Sequence, residues 1–507
     1  MKSSGITQEE RPLVLSSPCP GPVTASKVVS WIRTTIYQVQ PRVWLYFYGL
    51  LFGLVAFAMS GLGMYFDSTS YRLIGTFLWI LWFALMFAMC VPSADRIIAR
   101  GIRWFRGGAL AVMVLFMLLG LGELIVLKPF PLQLIGRSVS DSSIVQPLVN
   151  FVSTLRFNDG LALTQQATEN IVTGKNPYEN ANVITAFQRF GQGAGDQVTP
   201  LQVGVLSDSF PYPTSEQLDR LWQQASTTPE KVPPEFESKF NYPAGAFLLP
   251  APFFLLGVQD LRVAYTFYVL TSLAGVIWLL RRRNWLVFVF GILAGLQFWN
   301  ALVRGEIGML WFAPFLLAWV LLLEKHWWLS AVAIGLAVIA KQTAWFFVPF
   351  YLIFVFRSIG LKPLLKMGSV VGGIFLAANL PFIVAGPRLW VASVFAPMMD
   401  SMFPTGSGII SFVLSGLVDI RSPLVFTVIE AVVFIGGTIW YYFNCRKYPW
   451  SALVLGIFPL FFAWRSIQSH FLLVDIVLLS LLLLEVSPTH SAHGELHAPR
   501  VPNGSSP

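Results

Sequence analysis

Apolar residues gather into twelve runs along the chain, at 43–65, 71–92, 108–127, 262–280, 285–303, 307–323, 329–340, 344–356, 367–385, 423–443, 451–464 and 471–486. The longer runs reach the ~20 residues that cross a ~30 Å hydrocarbon core as a helix, and the shorter ones are extended by their flanks. They are apolar on every face, whereas a transmembrane β-strand alternates apolar and polar positions over ~10 residues. The polar breaks between runs differ in charge. Loops at Asp95 to Arg106, Arg281 to Arg283, Arg357 to Lys366 and Arg446 to Lys447 are rich in Lys and Arg, which marks the cytoplasmic side. An N-terminus inside satisfies all four.

A further apolar stretch, Tyr242 to Gly257, opens with Tyr242-Pro243 and contains Pro250 and Pro252. Proline removes a backbone donor and breaks a straight helix, so this piece is expected to dip into the membrane and return where protein covers its backbone. A full crossing would place Arg281 to Arg283 outside. The pattern therefore predicts an all-α polytopic membrane protein with about 12 transmembrane helices (roughly 11–13) and both termini in the cytoplasm. It divides the chain into a cytoplasmic N-terminal tail (1–42), three transmembrane helices (43–127), a long extracytoplasmic loop (128–242), a transmembrane helical core (243–486) and a disordered cytoplasmic tail (487–507). The first run follows some forty mostly polar residues and has no small-residue cleavage site after it, so no cleaved signal peptide is expected.

The 128–242 loop carries eight Lys or Arg against eleven Asp or Glu, a net of −3 on the side opposite the basic loops. Loops this long are functional or disordered far more often than they are simple connections. Within it, Leu161, Leu163, Ala167 and Ile171 are spaced for one face of a helix over Asn158 to Thr173. Gly191 to Glu237, dense in Pro, Gly, Ser and Gln, reads as a mobile excursion.

Composition excludes a soluble enzyme: 55% of residues are hydrophobic and 12% charged, against about 25% charged in ordinary soluble chains. The net charge of +9 is spread in short clusters between apolar runs instead of one stripe, so it reads as a topology signal and no nucleic-acid partner is expected. Cys19, Cys90 and Cys445 lie in a tail, an apolar run and a basic loop, which offers neither a disulfide framework nor a CxxC metal site. No Gly-rich phosphate loop, HExxH, Gly-x-Ser-x-Gly or Asp-x-Asp motif is present, so no cofactor or metal is indicated. His490, His493 and His497 sit in the Pro/Ser/Gly-rich tail with no helix to hold them. Trp44, Trp104, Trp327, Trp328 and Trp450 near run ends read as an interfacial aromatic belt.

One pattern carries chemistry. It runs Asp159-Gly160, Ala167, Gly174-Lys175-Asn176-Pro177-Tyr178, and resumes at Tyr242-Pro243 and Gly257. Here the sequence resembles the glycosyltransferase C superfamily, and within it the bacterial family 87 group, similar to polyprenyl-phosphate-mannose-dependent mannosyltransferases. The resemblance departs at Leu163, where many relatives have an aromatic, at Ala244 in place of the second proline of Tyr-Pro-Pro, and at Gly305-Glu306, where a Gly-Gln pair is common. It implies a multi-pass enzyme of the cell (plasma) membrane with its active site on the extracytoplasmic face. The implied donor is a polyprenyl-phosphate sugar, mannose or another hexose or pentose, and the acceptor a glycan, glycolipid or protein. It also implies Asp159 as the catalytic residue and Tyr178 and Tyr242 as substrate-binding positions.

The chemistry needs such an acid independently of the resemblance. Moving a sugar onto a hydroxyl requires a base that takes the acceptor proton as the glycosidic bond forms, and a single carboxylate points to one displacement with inversion. The plainer role for Asp159 is to cap the helix beginning near Gly160. The twelve-crossing topology puts Arg304 and Glu306, Lys341 and Gln342, and Arg465, Gln468 and His470 at helix junctions on the Asp159 side. Charges bordering hydrocarbon tend to mark a site or pathway. Arg465 and Lys341 are the candidates for the donor phosphate, with Arg304 held by Glu306 in support, Gln342 nearby and His470 as a possible donor to the phosphate. The plainer role for each cation is snorkelling to the interface. A transporter or flippase for a lipid-linked or amphiphilic substrate is the alternative; it would show repeats and mid-membrane ionisable groups. A membrane scaffold is the third reading, and it would need neither the loop acid nor the cations.

Overall fold

The computed structural model describes residues 39–127, 158–190, 195–280 and 284–485. The two tails, the first part of the 128–242 loop and Arg281 to Arg283 lie outside the described residues, as do the expectations placed on them.

A 3-10 turn, Pro41–Trp44, leads into α1 (Leu45–Tyr65), which forms a hairpin with α2 (Thr69–Cys90); a short α3 (Ala94–Ala99) precedes α4 (Ile102–Leu127). The polar segment then supplies α5 (Asp159–Val172), α6 (Val183–Phe190) and α7 (Ser215–Thr227). Two short helices follow, α8 (Gly245–Leu248) and α9 (Ala251–Leu255), broken between them at Pro250. Next come α10 (Leu261–Leu280), α11 (Trp285–Leu293), α12 (Leu296–Arg304), α13 (Gly308–Leu323) and α14 (Trp327–Ala340). A 3-10 stretch, Gln342–Phe347, runs into α15 (Val348–Ser358), then α16 (Leu361–Ala385), α17 (Pro387–Val394), α18 (Ala396–Met399), α19 (Ser411–Leu414) and α20 (Pro423–Asn444). α21 (Ser451–Ile457) continues as a 3-10 turn, Phe458–Phe462, and α22 (Val474–Leu484) closes the described chain.

The protein is an all-α membrane protein. Among the described residues six helices, α1 with its 3-10 lead, α2, α4, α10, α16 and α20, are long and apolar enough to cross a membrane, and the pair α11 and α12, bent by 62°, would make a seventh. The runs expected to bring the number to about twelve form shorter helices here, two of them interrupted by proline. Pro349 stands at the start of α15 and Pro459 turns α21 into 3-10 geometry, as expected where a backbone donor is missing. Of the tryptophans read as a belt, Trp104, Trp327 and Trp328 are exposed, whereas Trp44 and Trp450 are buried. The exception has a local cause: a buried Arg42 pairs there with the partly exposed Asp95 and Glu485, and Trp450 Nε1 donates to Glu485 at 3.5 Å.

Residues 195–237 are not the loose excursion their composition suggests. Thr214 and Gln217 close a capping box at the start of α7, satisfying two backbone donors reciprocally. Leu218, Leu221 and Ala225 then lie buried on one face with Val198, Leu206 and Phe236. Single antiparallel bridges join Pro200 to Phe236 and Leu201 to Met402. The apolar spacing within α7 was the stronger signal, and the Pro and Ser content around it only sets its turns.

Candidate active site

A cavity of about 780 Å³ is lined by Asp159, Tyr242, Glu306, Lys341, Gln342, Arg465 and His470, drawn from five separate stretches of sequence. Tyr178 and Arg304 do not line it.

Asp159 is the first residue of α5, and it is Asn158 that caps the helix, its Oδ1 accepting from Leu161 N at 2.7 Å. The capping role suggested for Asp159 therefore belongs to its neighbour. Asp159 Oδ2 instead accepts from Thr199 N at 3.1 Å and from Thr199 Oγ1 at 2.6 Å, and Oδ1 from Gly160 N at 2.8 Å. Both oxygens are thus held while the side chain faces the cavity. Gly160 explains the small residue after the acid: a Cβ there would come within 2.8 Å of the Tyr242 hydroxyl.

Arg465 sits on a two-residue parallel pair, Thr405–Gly406 against Arg465–Ser466. The pair is possible because Gly406, at φ 118°, carries no Cβ, which would lie 1.9 Å from Ser466 O. Among the described residues Arg465 forms no ion pair; its Nη1 contacts Met402 Sδ at 3.0 Å. Asp159 is the strongest of the charges that reach it. Lys341 is buried at the turn after α14, its Nζ 6.0 Å from the Tyr242 ring centre, and it likewise forms no ion pair within the described residues. Glu306 is the carboxyl whose charge acts on it. The pairing of Arg304 with Glu306 does not form: Arg304 is exposed at the end of α12, and Lys341 acts on Glu306 more strongly than Arg304 does.

His470 lies in the junction before α22. Burial, and then Lys341 and Arg465, hold its pKa down to about 3, so the imidazole is neutral, and its Nδ1 has no hydrogen-bond partner among the described residues. Gln342 Nε2 donates to Val394 O at 2.8 Å and to Asn241 O, which ties α17 to the chain entering α8. Tyr178 is packed against Phe240, Phe247 and Phe382, and its hydroxyl donates to Tyr242 O at 3.0 Å. The structure thus places it behind Tyr242 as a support.

The cavity is also lined by a largely apolar set of residues. Pro423, Thr427, Glu430 and Phe434, spaced along one face of α20, belong to it together with Phe346, Pro349 and Leu460. The other face of α20 is exposed and apolar at Leu424, Val428, Val432 and Ile435.

Sequence reasoning missed four cavity residues. Thr199, Glu237 and Asp400 left no local motif, because they meet only when distant turns fold together. Glu430 did leave a signal: it is a lone acid inside an apolar run, which by default marks function. Glu237 is buried, and burial first and then Asp400 raise its pKa to about 8. A carboxyl whose folded pKa lies above its unfolded value binds more protons when folded, so its contribution to stability is lost as pH rises from about 4.5 to about 8. Glu237→Gln should accordingly melt higher than wild type, by a margin that grows over that range and levels off above it. Thermal unfolding in detergent across pH reads this directly.

Compared with known families, residues 240–488 match the one described as Glycosyltransferase family 87. Asp159 and Thr199 lie before the matched region. No curated protein and no solved structure matches.

Proposed function

We propose that this chain, which belongs to glycosyltransferase family 87 through its residues 240–488, moves a sugar such as mannose from a polyprenyl-phosphate donor to a hydroxyl of a cell-envelope acceptor. Asp159 takes the proton of that hydroxyl as its oxygen attacks the anomeric carbon. The bond from that carbon to the phosphate oxygen breaks, and the electron pair leaves with the polyprenyl phosphate. One carboxylate acting as base accords with inversion.

The observation that carries this reading is the pair Arg465 and Lys341, two cations facing one cavity with no carboxylate paired to either among the described residues. Removing the partner of a buried charge costs on the order of 3–5 kcal/mol, so a site that keeps two such cations is built for an anionic ligand. A lipid phosphate supplies the anion, and the apolar side chains lining the same cavity, Phe346, Phe434 and Leu460 among them, suit its prenyl chain. His470, held neutral by burial beside Lys341 and Arg465, gains a counter-charge when phosphate binds, and its pKa should rise.

The placement of the contacts supports twelve alternating crossings with the site outside. Every candidate cavity residue comes from a segment assigned to the outer side. The inner segments meet one another separately, Arg42 with Asp95 and Glu485, and Arg446 Nη2 with Arg357 O at 3.0 Å. Cysteine placed at the exposed Thr228 should react with an impermeant reagent on intact cells, and cysteine at Lys447 should not. Reversed labelling would move the site to the cytoplasm.

The function itself is tested by titrating the purified full chain with undecaprenyl phosphate. Saturable binding that excess phosphate-free prenol cannot displace is expected. No detectable binding would remove the donor assignment.

A further inference from the structure

We propose that Glu237 and Asp400 form a subsite for a sugar hydroxyl other than the one that reacts, and so position a polyol ring against Asp159. The proposal rests on the transferase reading of the cavity, with Asp159 as its base.

The two carboxyls line the cavity together, although more than a hundred and sixty positions separate them in sequence. Asp400 is fixed by Lys239, whose Nζ lies 2.7 and 2.6 Å from its two oxygens. Glu237 is 3% exposed. Its Oε1 accepts from Lys239 N at 2.7 Å, and its Oε2 accepts from no donor among the described residues. The Asp400 carboxylate that acts on it has no hydrogen to give, so the one proton of the pair is the one Glu237 carries. A protonated carboxyl donates and a carboxylate accepts. That combination matches a hydroxyl, which does both, and repels a phosphate.

The pair is coupled to the catalytic acid through one residue. Thr199 donates twice to Asp159, and its carbonyl accepts from Glu237 N at 2.9 Å. A ring presenting one hydroxyl to Asp159 therefore brings a neighbouring hydroxyl toward Glu237 and Asp400. The cations Arg465 and Lys341 hold the phosphate, leaving these acids to read the sugar. Other charges acting on Glu237 are Lys239 from its own segment and Arg465 from its strand pair.

The test uses octyl mannoside as a polyol probe and an octyl tetraethylene glycol ether as a probe with the same chain but no ring hydroxyls. Both are titrated into the full-length protein in nanodiscs, with undecaprenyl phosphate titrated separately. Wild type should bind octyl mannoside saturably. Glu237→Ala and Asp400→Asn should each weaken it by about tenfold or more, as expected for a lost hydrogen bond to a charged pair. Glu237→Gln, whose amide keeps a hydrogen to donate to the hydroxyl, should stay within about threefold. The ether and undecaprenyl phosphate should bind all variants alike. Wild-type binding above pH 8 should weaken and that of Glu237→Gln should not.

Unchanged mannoside binding in Glu237→Ala, an equal loss of mannoside and ether, or no mannoside binding by wild type would each overturn the subsite. Should Glu237→Ala fail to fold, Glu237→Gln and Asp400→Asn decide the matter. Mannoside binding that depends on Glu237, in a protein that does not bind undecaprenyl phosphate, would leave the subsite standing and remove the donor reading.

Discussion

Asp159→Asn is expected to lower sugar transfer by about 10²-fold or more, the usual loss when a general base is removed, while undecaprenyl phosphate binds as tightly as before. Asn preserves the shape of the side chain, and its carbonyl oxygen can still accept from Thr199. The start of α5 is not at stake, because Asn158 provides the cap. Asn158→Ala gives the contrasting result: it removes the cap at a cost of about 1 kcal/mol, lowers the melting temperature and leaves transfer largely intact. The measurement is turnover of a radiolabelled lipid-linked sugar by purified variants alongside their thermal unfolding. Near-normal turnover in Asp159→Asn would pass the role of base to Glu306, the other candidate acid lining the cavity.

The contrast between Asn158 and Asp159 shows what the sequence could and could not give. A helix starting near Gly160 was legible from the spacing of Leu161, Leu163 and Ala167, and so was a special carboxylate at its start. Which of two adjacent residues caps was not, because the answer depends on Thr199, forty positions away, taking hold of Asp159. Length and apolarity made the long helices readable without any knowledge of their neighbours. The shorter runs were harder: a run with Pro349 or Pro459 near its end reads as apolar yet bends in space, and only packing decides how it ends.

The site followed the same division. Lys341, Arg465 and His470 could be nominated because each interrupts hydrocarbon, a signal carried within a few residues. Arg304 sent the same signal and is exposed outside the cavity, since the direction a side chain takes at a helix end is not written in its position along the run. Tyr178 was nominated by resemblance and lies one step removed from the cavity, its hydroxyl donating to Tyr242 O. Glu237 and Asp400 gave no signal, because each became part of the cavity only when Lys239 and Thr199 brought their segments together.

Arg465→Lys should weaken undecaprenyl phosphate binding by about tenfold or more, with a matching loss of transfer. The change keeps the positive charge, so the expectation turns on geometry. Arg465 is anchored by strand pairing at Thr405–Gly406, which fixes its backbone and leaves little freedom to compensate for a different head group. A guanidinium can reach two phosphate oxygens at once from that position, whereas an ammonium on a flexible stem supplies one compact charge. A snorkelling residue would behave in the opposite way, since Lys reaches the interface as well as Arg does. Lys341→Ala provides the second arm. It removes a charge that faces the same cavity, so it too should weaken the lipid phosphate, and more strongly at low salt than at high salt. If Arg465→Lys and Lys341→Ala both bind undecaprenyl phosphate like wild type, neither residue holds the donor and the phosphate must lie elsewhere.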